Sequence, residues 1–169
     1  MVYAIDIIYI FSEILLAPIR HPVLLWILIP VYINWIIGDL YQEKKGTRIG
    51  SAISNGFVAL WVGLDWGKQL TRDFIFSIES LIQLISVIFF ITYGSIILFE
   101  GVQGKKIARY IGRVREVTYI IICFTPIFHG FIPLNLYTII AIVLFFPIFY
   151  FVVEIIMVIT PSPLKEEEE

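Results

Sequence analysis

From Leu134 to Thr160 the chain reads LNLYTIIAIVLFFPIFYFVVEIIMVIT, and Glu154 is its one charged residue. A helix needs about 20 predominantly apolar residues to cross the hydrocarbon core of a bilayer. Only a helix or a closed barrel satisfies its own backbone there. A second block, HPVLLWILIPVYINWII, has the same character. Across the chain 59% of residues are apolar and 15% charged, against roughly 45–50% and 25% in soluble domains. So few charges cannot coat the exterior of a water-soluble protein. The sequence therefore predicts an all-α integral membrane protein, one polytopic domain over 1–164 followed by an acidic tail at 165–169.

Five stretches have the length and composition of spans: about 21–41, 50–67, 74–101, 115–132 and 135–160. The last two are separated by HGFIPLN, whose Gly130, Pro133 and Asn135 favour a tight helical hairpin. Residues 2–17 form a further apolar helix that Pro18 and Pro22 are expected to end. Asp6 and Glu13 lie two helical turns apart on one face of it. An amphipathic helix in the interface fits this pattern better than a sixth span. The stretch has no basic leader, so it does not read as a cleaved signal peptide.

With five spans, loops 42–49 and 102–114 and the C-terminal tail fall on one side. That side carries Lys44, Lys45, Arg48, Lys105, Lys106, Arg109, Arg113, Arg115 and Lys165; Arg20, Lys68 and Arg72 fall on the other. The positive-inside rule places the richer side, and with it the C-terminus, in the cytoplasm of a cell-membrane protein. The same basic loops are candidates for contact with anionic lipid headgroups. The acidic tail argues against nucleic acid as a partner.

DLYQEKKGTRIG and EGVQGKKIARYI align without a gap at an offset of 61, and Tyr32, Ile27 and Ile36 then meet Tyr93, Ile88 and Ile97. A duplicated helix–loop–helix would produce this. So would chance, in cytoplasmic loops that select Lys and Gln and spans that select Ile.

Polar groups at membrane depth are costly and mark either function or packing. On the third stretch Glu79, Gln83, Ser86, Tyr93 and Glu100 fall along one helical face, as either a hydrated path or a hydrogen-bonded packing face. Glu154 lies about six residues inside the last span, roughly 9 Å deep. A structural ion pair with Arg113 or Arg115 is its expected role, and proton or cation handling the alternative. On the second stretch Ala52, Gly56, Ala59 and Gly63 put small residues four apart, the pattern of close helix contact in membranes. Leu70, beyond that stretch, is expected to be exposed, and Trp66 with Asp65 to sit among the outer headgroups. Thr118, Thr125 and His129 share a face of the fourth stretch. His129 reads as an interfacial hydrogen-bonding residue, and with His21 it makes no metal site. Cys123, the one cysteine, sits in apolar sequence and reads as an inert buried thiol.

No nucleotide-binding, zinc-protease, nucleophile-elbow or paired-cysteine motif is present. No catalytic residue, metal or cofactor is expected. The leading function class is a non-enzymatic small subunit or assembly component of a membrane complex, with a homo-oligomer or other membrane subunits as partners. The alternatives are a small oligomeric transporter or channel using the polar third-span face and Glu154, and a membrane-embedded enzyme acting on lipid.

Overall fold

The computed structural model describes residues 2–40, 49–72 and 77–159. All regular structure among them is helical: α1 (Val2–Arg20), a 3₁₀ turn (Pro22–Leu24), α2 (Leu25–Leu40), α3 (Ile49–Arg72), α4 (Ile78–Val102), α5 (Ile107–Ile111), α6 (Val114–Phe128) and α7 (Leu136–Ile159). Two helices are long and apolar enough to cross a membrane, α4 and α7 over Leu136–Ile156; a third crossing results if α1 and α2 form one broken span.

The remaining stretches differ from expectation for physical reasons. The α2 helix has 16 residues, because Pro22 opens a 3₁₀ turn before it. The α6 helix has 15, roughly 22 Å against a hydrocarbon core of about 30 Å. It is surrounded by α1, α2, α3 and α7, and from Val114 to Phe128 nearly every side chain is buried. The α3 helix extends to 24 residues, but its glycines, Ser51, Ser54, Asn55 and Asp65 dilute its apolar character. The α6 helix lies inside the bundle and needs no continuous lipid-compatible coat, whereas α3 keeps one outward face with Phe57, Trp61 and Leu64 exposed.

The layers follow from these contacts. The α4 helix packs on α3, α3 touches α2 and α6, and α1 and α7 close the far side. Pro18 does not end α1; the helix runs to Arg20, and the His21 amide still donates to the Ala17 carbonyl at 2.8 Å. One lost backbone donor in a last turn is a small defect. Phe11, Ile14 and Ala17 are buried along one face of α1, and Phe11 stacks on Phe145 of α7 at 3.9 Å. Asp6 is exposed, and Glu13 pairs with Arg20. The α1 axis turns 82° from the segment beginning at Pro22, so the two are not a straight continuation. Gly130, at φ +73°, makes the turn between α6 and α7, and Asn135 Oδ1 accepts from the Thr138 amide at 2.9 Å to open α7.

Trp66 and Leu70 sit elsewhere than expected. Trp66 is fully buried, between Phe90 of α4 and Phe128 of α6, and its Nε1 donates to Thr125 Oγ1 at 3.3 Å. Leu70, one turn on, is buried with it. Both are on the inward face of α3, which at Leu70 continues beyond the 18-odd residues that hydropathy marks out.

Candidate functional site

The small residues of α3 face α4 across a tight antiparallel contact. A Cβ on Gly56 would lie 2.8 Å from Ile97 Cγ2, and one on Gly63 2.9 Å from Ile91 Cγ1. Ala52 and Ala59 are fully buried on the same face. The partner surface on α4 contains Gly94, whose Cβ would meet the Leu60 amide nitrogen at 2.6 Å and the Gly56 carbonyl oxygen at 2.7 Å. Gly94 lies at the point of closest backbone approach, and Gly101, seven residues on, would put a Cβ 2.6 Å from Ile53 Cγ1; neither has a small residue four away to mark it in the sequence.

The polar face of α4 flanks this contact. Gln83, Ser86, Tyr93 and Glu100 are half-buried at its edge, and Glu79 is exposed in the first turn. Ser86 Oγ donates to the Ile82 carbonyl of its own helix at 2.9 Å. The Tyr93 hydroxyl donates to the Ile111 carbonyl at the end of α5, and Glu100 pairs with Lys105 at 2.9 Å. Each finds its partner at a different depth. Of the basic residues, Lys105 and Lys106 are exposed where the chain turns from α4 into α5, and Arg109 is half-buried on α5. Lys44, Lys45 and Arg48 and the tail lie outside the described residues, as does most of the first copy of the 61-residue offset. Where the offset can be followed, it does not match packing positions: Ile27 is buried and Ile88 exposed, whereas Ile36 is exposed and Ile97 buried.

Three polar seams tie the helices together. Near the N-terminus of α6, Ser54 Oγ donates to Asn34 Oδ1 at 2.5 Å, Asn34 Nδ2 to Asn55 Oδ1 at 3.4 Å, and Asn55 Nδ2 to the Arg113 carbonyl at 3.2 Å. This chain joins α2, α3 and α6. Asn34 and Ser54 carry no sequence signal beyond being polar in apolar runs. At the opposite end His129 Nε2 lies 3.0 Å from Asp65 Oδ2, both largely buried. His129 is therefore not a lone histidine, and Phe131 stacks between it and His21. The two histidines share that ring and do not touch a common ion site: among the described residues no three His, Cys, Asp or Glu groups converge.

The third seam is the site with room beside it. Arg115 Nη1 donates to Glu154 Oε2 at 2.7 Å, with the Arg115 side chain 10% exposed and Glu154 57% exposed. The guanidinium also lies over the Tyr150 ring, 5.3 Å from its centre, a cation–π contact within the usual 6 Å reach. Two residues earlier, at the N-cap of α6, Arg113, 64% exposed, pairs with Glu116 at 3.2 Å. A cleft of about 530 Å³ opens next to these groups, lined by Arg113, Glu116, Phe146, Pro147, Tyr150, Phe151 and Glu154. The α6 and α7 helices pack loosely compared with α3 and α4. Their main tie deeper in is the Tyr119 hydroxyl, which donates to the Ile142 carbonyl at 2.6 Å. Chemically the cleft offers paired charges of both signs at its mouth and an aromatic floor. It contains no nucleophile–base pair. No protein-family model, curated protein or solved structure matches the chain, so the geometry alone carries the functional reading.

Proposed function

We propose that this chain is a multi-pass cell-membrane protein of five spans, with loops 42–49 and 102–114 and its tail in the cytoplasm, acting as a non-enzymatic subunit or assembly component of a membrane complex. The observation that supports this best is where its intramembrane polar groups are spent. The Asn34–Ser54–Asn55 chain, Asp65–His129 and Arg115–Glu154 each join different helices. A transport path would need such groups to face a shared hydrated lumen; these face each other. Short α2 and α6 reach across with help from the 3₁₀ turn, α5 and local thinning of the bilayer. The transport reading keeps one favourable feature, the exposed carboxylate of Glu154.

One preparation tests both. Protein extracted into nanodiscs is weighed by native mass spectrometry, and the same protein in liposomes is assayed for proton and cation flux. Single cysteines placed at 45 and 105 in a Cys123→Ser background report sidedness in intact cells. The expected result is an assembly heavier than one chain, no flux, and loops unreactive to an impermeant reagent from outside. A monomer with a flux that Glu154→Gln abolishes would sink the subunit reading, and outside labelling of either loop the topology.

A further inference from the structure

The α6–α7 cleft has a graded chemistry. Its charged residues, Arg113, Glu116 and Glu154, lie at one end, and Pro147, Phe151 and Phe146 follow along α7. From Glu154 to Phe146 is two helical turns, roughly 12 Å along the axis. A charged mouth over an aromatic floor of that length matches an amphiphile lying along the helix, head at the mouth and acyl carbons on the rings. Resting on the membrane reading above, we infer that this cleft holds one phospholipid with a net-neutral, primary-amine headgroup of the phosphoethanolamine class, its phosphate on Arg113 and its ammonium on Glu154.

Charge balance selects that headgroup. Among the described residues at the mouth, Arg113 and Arg115 stand against Glu116 and Glu154, so an anionic headgroup would meet two carboxylates there. A headgroup carrying both signs meets both. Arg113 is held only by an exposed i,i+3 pair, a contact of little strength that a phosphate can displace. Arg115 is buried against Glu154 and Tyr150 and stays where it is. It fixes one carboxylate oxygen of Glu154 while the side chain remains more than half exposed, leaving that carboxylate able to accept from an ammonium in the cleft. A quaternary ammonium has no N–H to donate to it. The Tyr150 face, where such a cation would otherwise rest, already carries the Arg115 guanidinium.

The test is native mass spectrometry of the detergent-solubilised full chain, titrated separately with phosphatidylethanolamine, phosphatidylcholine and phosphatidylglycerol. One phosphatidylethanolamine per chain is expected, bound roughly tenfold more tightly than either of the others, the effect of one well-placed charged contact. Arg113→Gln should weaken it by about the same factor with thermal unfolding unchanged, because that side chain is exposed. Glu116→Gln, which frees Arg113 from its competitor, should bind at least as well as the wild type. Phosphatidylglycerol or phosphatidylcholine equalling phosphatidylethanolamine, or Arg113→Gln retaining full binding, would overturn the assignment. A chain that resists carbonate extraction from membranes yet shows no such preference overturns this inference alone; a chain soluble without detergent overturns the membrane reading with it.

Discussion

The α3–α4 and α6–α7 pairs are both antiparallel neighbours in sequence, and they are joined in opposite ways. Between α3 and α4 the backbones meet almost directly, with Gly56 against Ile97 and Gly94 against the Leu60 and Gly56 backbone. Between α6 and α7 the helices stand apart, tied by Arg115–Glu154 and by Tyr119 to Ile142. In lipid, apolar side chains gain little by leaving one apolar medium for another, so helices associate through close van der Waals fit or through polar bonds. This molecule uses one device on each side of its centre. Close fit leaves no volume, and polar ties at two points leave a cleft between them.

The largest expected effect is on the first pair. Gly94→Leu places a side chain where even a Cβ overlaps backbone atoms that cannot rotate aside. Separating the helices should cost on the order of 3 kcal/mol or more, read as a lower midpoint of thermal unfolding in detergent. Gly50→Leu, at the start of α3 with nothing within 4 Å of its Cβ position, should change stability by no more than about 0.5 kcal/mol. Equal effects at the two sites would mean that glycine content, rather than the α3–α4 contact, sets stability.

The second pair should respond asymmetrically. Glu154→Gln takes a carboxylate away from the buried Arg115 guanidinium, while Arg115→Met leaves a carboxylate that is already more than half exposed. The first should cost about 2–3 kcal/mol, below the 3–5 of a fully buried pair because one partner reaches solvent. The second should cost about 1 kcal/mol or less, since Met retains most of the packing. The double substitution should be more stable than Glu154→Gln alone. If both single changes cost the same, the pair is not holding α7 through a buried cation, and the contrast with α3–α4 weakens.

How much of this was legible depends on which device is used. Close fit writes itself into spacing: Ala52, Gly56, Ala59 and Gly63 recur every four residues or nearly so, all are buried, and Gly56 and Gly63 meet α4 directly. Its partner surface is harder to read, since Gly94 and Gly101 stand seven apart among Phe, Ile and Tyr with no four-residue repeat. A charge in an apolar run is conspicuous, so Glu154 and its pairing with an arginine opening the preceding helix could be read in advance. Asp65–His129 could not, although both residues were noticed, because sequence places them at the same end of the bundle without saying that α3 and α6 are neighbours. Trp66 sits elsewhere than expected for the same reason: aromatic residues near a span's end favour the headgroups only on the outward face of their helix, and Trp66 lies on the inward face of α3 while Trp61 lies on the outward one. Nor does composition report that α6 is short and enclosed. The span test measures apolarity, and an interior helix can be apolar without being long.

The smallest effect concerns the seam that polarity leaves incomplete. Thr118 Oγ1 is fully buried on α6 with no hydrogen-bond partner, one turn below Arg115 and in the helix that every polar seam touches. A buried hydroxyl without a partner costs free energy, whereas a methyl of the same shape does not. Thr118→Val keeps the branched side chain and its volume and removes the oxygen. It should therefore raise stability by about 1 kcal/mol, or leave it unchanged, in the same detergent melt. The matching change at Thr125, whose Oγ1 accepts from Trp66 and donates to the Ile121 carbonyl at 2.6 Å, should lower it by about 1 kcal/mol. Opposite signs at two threonines on one face of one helix would locate the polar glue residue by residue. A loss at Thr118 instead would mean that its hydroxyl is hydrogen-bonded when the protein sits in lipid, and that α6 contributes a fourth tie.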